Sequence, residues 1–305
     1  MTTRTPQSET AYRGLSGNDL IASYYTLSGA PVGRPARFSL EARVAAAAAA
    51  GFTAIGLAVE DYQACQERGL SPATLRQILA DSGIVIAELE FLTNWWREGA
   101  VGKQARLIEE QLYAAADVFG ARHMNVGSIG GPGTLPALAV VAEQFAALCD
   151  RAAQHGLLVA LEFLPWSDIG DARTAGAIVE QAARANGGIL IDSWHYFRGA
   201  ADPAQVCAIA ADRFVAIQFD DADAERVGDW LEDTTQRRCL PGEGAFDLIG
   251  FVRMLDTLGV HAPISVEIIS TEQQARPLAE AAQRAYDTTR LVLTQARTGA
   301  TEMKR

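Results

Sequence analysis

Four short apolar runs in the second half of the chain each deliver one oxygen-bearing side chain. They read Leu-Val-Ala-Leu-Glu162, Ile-Leu-Ile-Asp192, Val-Ala-Ile-Gln218 and Ile-Ser-Val-Glu267. Three carboxylates gathered in one place would repel. Either one acid keeps its proton or a cation neutralises the set. Oxygen donors of this kind suit Mg²⁺ or Mn²⁺, where thiolates would point to zinc or iron–sulfur. One acid at a strand end is ordinarily a cap or a salt bridge. Its recurrence in four consecutive runs is what points to a metal centre. His195 lies just beyond Asp192. It is a candidate ligand, general acid or substrate hydrogen-bond donor, with a core-edge histidine bonded to a carbonyl as the alternative.

These side chains need a scaffold that brings strand ends together. The chain has 305 residues, 49% hydrophobic and 21% charged, the composition of a soluble globular protein. Eight apolar runs alternate with longer helix-patterned stretches: Ile21–Leu27, Thr53–Val59, Val85–Leu92, His123–Val126, Leu157–Phe163, Ile189–Asp192, Phe214–Phe219 and Ile264–Ile269. Continuous apolar runs are what parallel strands buried on both faces look like. Ser39 before Glu41 and Ser71-Pro72 read as helix starts. Gly51, Gly83, Gly120, Gly156 and Gly259 read as helix ends. Eight βα units predict an α/β fold, a (β/α)₈ TIM barrel in a single domain over residues 19–295. An open doubly wound sheet is the alternative. Residues 1–18 are a polar N-terminal extension and 296–305 a polar tail. Residues 220–247 form the longest stretch between strands without a clear helix, a length that is usually functional. His123, at the start of its run, falls at the barrel bottom in a structural role. His155 and His261 precede strands and are expected at the surface.

Composition removes several classes. Lys103 and Lys304 are the only lysines, and neither sits where a Schiff base or a phosphate-binding loop needs one. The net charge of −11, with no basic run, argues against nucleic acid. No apolar stretch is long enough to span a membrane. Four scattered cysteines without paired spacing, and no apolar signal core in residues 1–20, give a cytoplasmic expectation.

The four-run pattern, with Asp192-Ser-Trp-His195 and Gln218-Phe-Asp220, resembles the xylose-isomerase-like barrel superfamily. That group holds sugar and sugar-phosphate isomerases and epimerases, inosose and dehydroshikimate dehydratases, and endonuclease IV. The segment Arg237-Arg238-Cys-Leu-Pro241-Gly242-Glu243-Gly244 is similar to the loop common in its sugar-handling members. The resemblance spans about residues 20–295. It implies that Glu162 and Glu267 are metal ligands and the acid/base pair, with Asp192 and Gln218 completing the set. Gln218 stands where many relatives have histidine, a weaker neutral ligand. His195 and Arg238 would touch substrate, with Arg237 the fallback for Arg238. One divalent cation is implied, Mn²⁺ or Mg²⁺ first, Co²⁺ or Zn²⁺ as alternatives. Too few histidines and the acidic charge separate the chain from endonuclease IV, and Phe163-Leu-Pro-Trp166 separates it from true xylose isomerases.

The expected activity is isomerisation or epimerisation of a small-molecule sugar or cyclitol through an enediolate. A dehydratase of the inosose or dehydroshikimate type is the alternative, and a non-catalytic or partner-dependent barrel the further one. Barrels of this kind often dimerise, so a homodimer is an open expectation. Trp95 and Trp96, Trp166, Trp194, and Tyr24 and Tyr25 within strand one are placed near the mouth. Trp95 and Trp194 are taken as substrate contacts, with ordinary packing as the alternative. Glu60 and Glu90, on strands two and three, are expected to face the pocket or form salt bridges. Gly127 to Gly133 reads as a flexible loop, with a phosphate cradle as the weaker alternative. The loop bearing Arg237 and Arg238 is a candidate lid.

Overall fold

The computed structural model describes residues 14–302. Eight parallel strands close into a barrel in chain order. They are β1 (Leu20–Ala22), β2 (Ala54–Ala58), β3 (Val85–Leu92), β4 (His123–Val126), β5 (Leu158–Glu162), β6 (Gly187–Asp192), β7 (Phe214–Phe219) and β8 (Ile264–Val266). β8 pairs with β1, which excludes the open-sheet alternative.

Helices α1 (Tyr24–Ser28) and α2 (Leu40–Ala50) follow β1, and α3 (Val59–Glu67) and α4 (Pro72–Ser82) follow β2. One long helix follows each of the next three strands: α5 (Gly99–Phe119), α6 (Leu138–Gln154) and α7 (Ala172–Ala182). The last three strands each have two: α8 (Ser193–Arg198) and α9 (Pro203–Cys207), α10 (Trp230–Gln236) and α11 (Leu248–Leu258), α12 (Thr271–Ala275) and α13 (Leu278–Glu302). The Ser39 and Ser71 hydroxyls cap α2 and α4 by accepting from Ala42 and Thr74 N–H. Gly51 closes α2 in the left-handed region, at φ 107°.

Four sequence expectations change. The first run is a strand only as far as Ala22, and Tyr24 and Tyr25 belong to α1. Glu60 lies on α3, not on β2. The 220–247 stretch contains α10. At the C-terminal end, α13 runs through the 295/296 boundary to Glu302, with Ala296 buried. Most of the proposed extension, residues 1–13, lies outside the described residues. Leu15 packs with Ile21, Ala54 and Ala87.

Strand period two sets what faces inward. Ala160, Leu190, Ala216 and Ser265 precede Glu162, Asp192, Gln218 and Glu267 by two residues, so each pair shares a face. Register aligns them around the barrel: Asp192 lies beside Gln218, and Gln218 beside Ser265. Below the site, Ser265 donates to Glu88 Oε1 at 2.6 Å, and His123 Nε2 lies 3.6 Å from Glu88 Oε2. Gly56 is required here, because a Cβ would sit 2.7 Å from Glu88 Oε1 and 2.8 Å from the Tyr24 nitrogen.

His123 is fully buried, and burial holds its pKa below the ordinary 6.5 despite the neighbouring Glu88. A depressed histidine contributes stability that is complete above pH 6.5 and lost as pH falls toward the folded-state value. Urea midpoints measured from pH 7.5 to 5.5 should therefore fall more steeply in the wild type than in His123→Gln.

Candidate active site

The C-terminal mouth of the barrel gathers Glu162, Asp192, His195, Gln218, Asp220, Arg238 and Glu267, all at most 5% exposed. Four consecutive strand ends supply the acids and the amide. Asp192 does two jobs. Its Oδ1 caps α8 by accepting from Trp194 N–H at 2.6 Å and His195 N–H at 3.3 Å, and its Oδ2 accepts from Arg238 at 2.8 Å. The cap places His195 on the first turn of α8, where Nε2 lies 3.0 Å from Glu162 Oε1 and 3.6 Å from Asp192 Oδ2.

Arg238 is the electrostatic counterweight. Its Nη1 lies 2.8 Å from Asp192, 2.5 Å from Asp220 and 3.0 Å from Glu267. Its Nε and Nη2 donate to the Thr234 carbonyl and hydroxyl. The loop that carries it is fixed by antiparallel bridges, Asp221 to Cys239 and Arg237 to Ser270. Arg237 turns the other way, onto Asp223, so Arg238 is the residue that faces the site.

Glu267 is held on both oxygens. Oε1 accepts from Ser23 and Gln218 at 3.0 and 2.9 Å, and Oε2 from Arg238. Burial pushes Glu267 and Asp220 well above the usual carboxylate range, with Arg238 opposing in both cases. Burial would also raise Asp192, but the Arg238 charge, then His195, brings it below its ordinary value. Glu90 is raised by burial and then by Glu88, and its Oε1 accepts from Tyr24 N–H.

Two observations fit this set to a divalent cation. Ligand atoms of Glu162, Asp192 and His195 lie within 4.8 Å of one another. The Gln218 amide oxygen is buried with no hydrogen-bond partner, which is costly unless something coordinates it. The donors are mainly oxygen, with one imidazole.

The cavity above these groups is about 180 Å³. That is small beside drug-sized pockets of about 300–1,000 Å³ and suits a single ring. Glu90, Glu162, His195, Gln218, Arg238 and Glu267 line it, as do Tyr25 and Trp166. Larger clefts of about 370 and 620 Å³ lie behind Arg238 and between α7 and α9. In the first, Asp223, Glu243 and Glu272 are each paired with an arginine.

Several expected contacts are not made. Trp95 is buried against Phe145 and Trp96, and its indole N–H is spent on the Gly127 carbonyl. Trp194 is fully buried, with Trp166, Trp230 and Arg238 packed around it. It supports the site from behind. Glu60 is exposed on α3 and does not line the cavity, acting on Glu90 and Tyr25 only through its charge. The Gly127–Gly133 loop is filled by a carboxylate, Asp168, which accepts from the Ser128 and Thr134 hydroxyls. An anion cradle is thereby ruled out. Sequence reasoning assigned no role to Asp220, although Gln218-Phe-Asp220 alternates so that both polar residues share a face.

Removing the guanidinium would leave buried carboxylates uncompensated, which costs about 3–5 kcal/mol. Arg238→Met should lower the urea midpoint of the metal-free protein by a corresponding amount. Arg237→Met, at a half-exposed position, should leave it nearly unchanged.

Residues 44–289 match the profile of the xylose isomerase-like TIM barrel. A 3-dehydroshikimate dehydratase of Pseudomonas aeruginosa is 28% identical over 242 residues, covering 78% of this chain and 37% of its own length. The chain thus spans little more than a third of the dehydratases it matches. An inosose isomerase of Bacillus subtilis is 29% identical over 144 residues, 47% of this chain and 51% of that one. A solved structure with a bound zinc atom superposes with TM-score 0.81 at 19% identity, covering 91% of this chain and 99% of that one. A fusion of a xylose isomerase-like barrel with a 4-hydroxyphenylpyruvate dioxygenase gives 0.80 at 23%, over 94% of this chain and 44% of that one. With the matched span reaching from α2 into α13, the chain belongs to the xylose isomerase-like TIM barrel family.

Proposed function

We propose that the protein removes a proton next to the carbonyl of a cyclic hydroxy-ketone and expels the β-hydroxyl as water, a dehydration. The observation that carries this reading is the inequality of the two glutamates. Both oxygens of Glu267 are taken by Ser23, Gln218 and Arg238, so it is a fixed group. Among the described residues the ion-pair partner of Glu162 is His195, at 3.0 Å, which supports one acid–base pair rather than two opposed ones. The 3-dehydroshikimate dehydratase relatives, matched over 78% of the chain, support the same choice.

Glu162, Asp192, Gln218 and Glu267 would hold a divalent cation, with His195 beside them to carry a proton. Mn²⁺ or Mg²⁺ suits the oxygen donors, and the zinc-bound structural relative supports Zn²⁺ as the alternative. Such an ion polarises a keto oxygen and stabilises the charge that develops as the proton leaves. Glu162 takes the α-proton. His195, whose Nε2 lies 3.0 Å from Glu162 Oε1, returns a proton to the departing hydroxyl. One C–H and one C–O bond break, a C=C bond forms, and water leaves. Burial of the pair excludes bulk solvent, which would otherwise quench the enolate. Arg238 holds the remaining carboxylates in register.

Isomerisation or epimerisation is the second reading, favoured by the inosose isomerase relatives. In it Glu267 returns the proton to a different carbon or face. Mass spectrometry of the products separates the two. A product lighter by one water supports dehydration, and an unchanged mass supports isomerisation. Glu162→Gln should lower turnover by about 10²–10⁴-fold with the fold retained, checked by steady-state rates beside circular dichroism. Titration of metal-free protein should saturate at a single divalent ion per chain, and Asp192→Ala should abolish that uptake.

A further inference from the structure

We infer that Val32, Ile129 and Leu231 form a specificity collar that admits a ring substrate carrying no anionic group on the side facing the collar. This rests on the ring hydroxy-ketone chemistry proposed above and narrows its substrate class.

The three side chains are 43%, 59% and 60% exposed. Scattered apolar residues at a surface need no explanation. These three come from separate segments, the α1–α2 connection, the β4–α6 connection and α10, yet all line the one cavity. Beneath them, Phe91, Leu164 and Trp166 continue the apolar wall. Most polar groups are the buried ones that lie with the carboxylates, and Thr235, on α10, donates its hydroxyl to the Leu231 carbonyl. The cavity therefore has a polar floor and an apolar upper wall.

Charge sharpens the point. Among the described residues, Arg238 is the only lysine or arginine lining the cavity. Its Nη1 serves three carboxylates, and its Nε and Nη2 serve Thr234. Nearby arginines are engaged elsewhere: Arg237 pairs with Asp223, and Arg226 stacks over Trp230. Arg97 leans over Trp96 and reaches Gly130 on the side of its loop where Asp168 sits, outside the cavity lining. In the glycine-rich loop beside Ile129, the Asp168 carboxylate occupies the space an anion would need. A carboxylate or phosphate pressed against the collar would lose water and gain no cation, a costly exchange. A neutral ring loses little, because its C–H faces pack on apolar side chains while its keto and hydroxyl edge reaches Glu162 and Glu267.

The test uses the full chain loaded with Mn²⁺ and two ring ketones. An inosose is uncharged, and 3-dehydroshikimate carries a carboxylate. Calorimetry should show the inosose binding at least about tenfold more tightly. Leu231→Arg and Ile129→Arg place a cation at exposed positions. Each should shift the ratio toward 3-dehydroshikimate by about tenfold or more, with thermal midpoint and metal stoichiometry unchanged. Equal or tighter binding of 3-dehydroshikimate to the wild type overturns the inference. So does a ratio that neither arginine variant moves, or binding of neither ligand. Selective binding of the inosose without turnover of either ketone would sink the proposed chemistry while leaving the collar in place, so the two failures read differently.

Discussion

Asp192, Asp220 and Glu267 share one guanidinium nitrogen in a volume from which water is almost wholly excluded. One positive charge cannot balance three ionised acids, and a fourth, Glu162, stands close by. Bare charges in such a place cost several kcal/mol each unless paired and hydrogen-bonded. The architecture answers that constraint at every level. Strand ends fix the acids, a helix cap takes one oxygen of Asp192, Ser23 and Gln218 take one of Glu267, and a bridged loop delivers the arginine. The deficit of positive charge that remains supports the cation of the proposed function.

Much of this was legible in the residues. Parallel strands buried on both faces write themselves as apolar runs, and a polar residue closing such a run stands out. That is why Glu162, Asp192, Gln218 and Glu267 were found, and why the barrel was. The aromatic residues were harder. A tryptophan just past a strand turns inward to the mouth or outward to the helices, and composition does not record which. Trp95 turned outward onto Phe145, and Trp166 inward. Tyr24 and Tyr25 looked like strand because a five-residue helix leaves too little periodicity to detect. Glu60 was misplaced for a related reason, since β2 passes directly into α3 with no turn residue between them.

The polar floor and apolar upper wall divide the labour of the pocket. Residues on the strands are locked by register and by each other. The collar residues sit on two connections and on α10, exposed at the mouth. In the proposed function, reaction type would be tied to the barrel strands and choice of substrate to the collar, a separation that suits a fold serving many chemistries.

Asp192 couples two things that are usually independent. One of its oxygens anchors the start of α8, and the other belongs to the charged cluster. The helix that carries His195 therefore hangs from a carboxylate of the charged cluster. In the proposed function, a cation that drew on that carboxylate would act on the helix anchor as well, so occupancy of the site and placement of the imidazole would be linked.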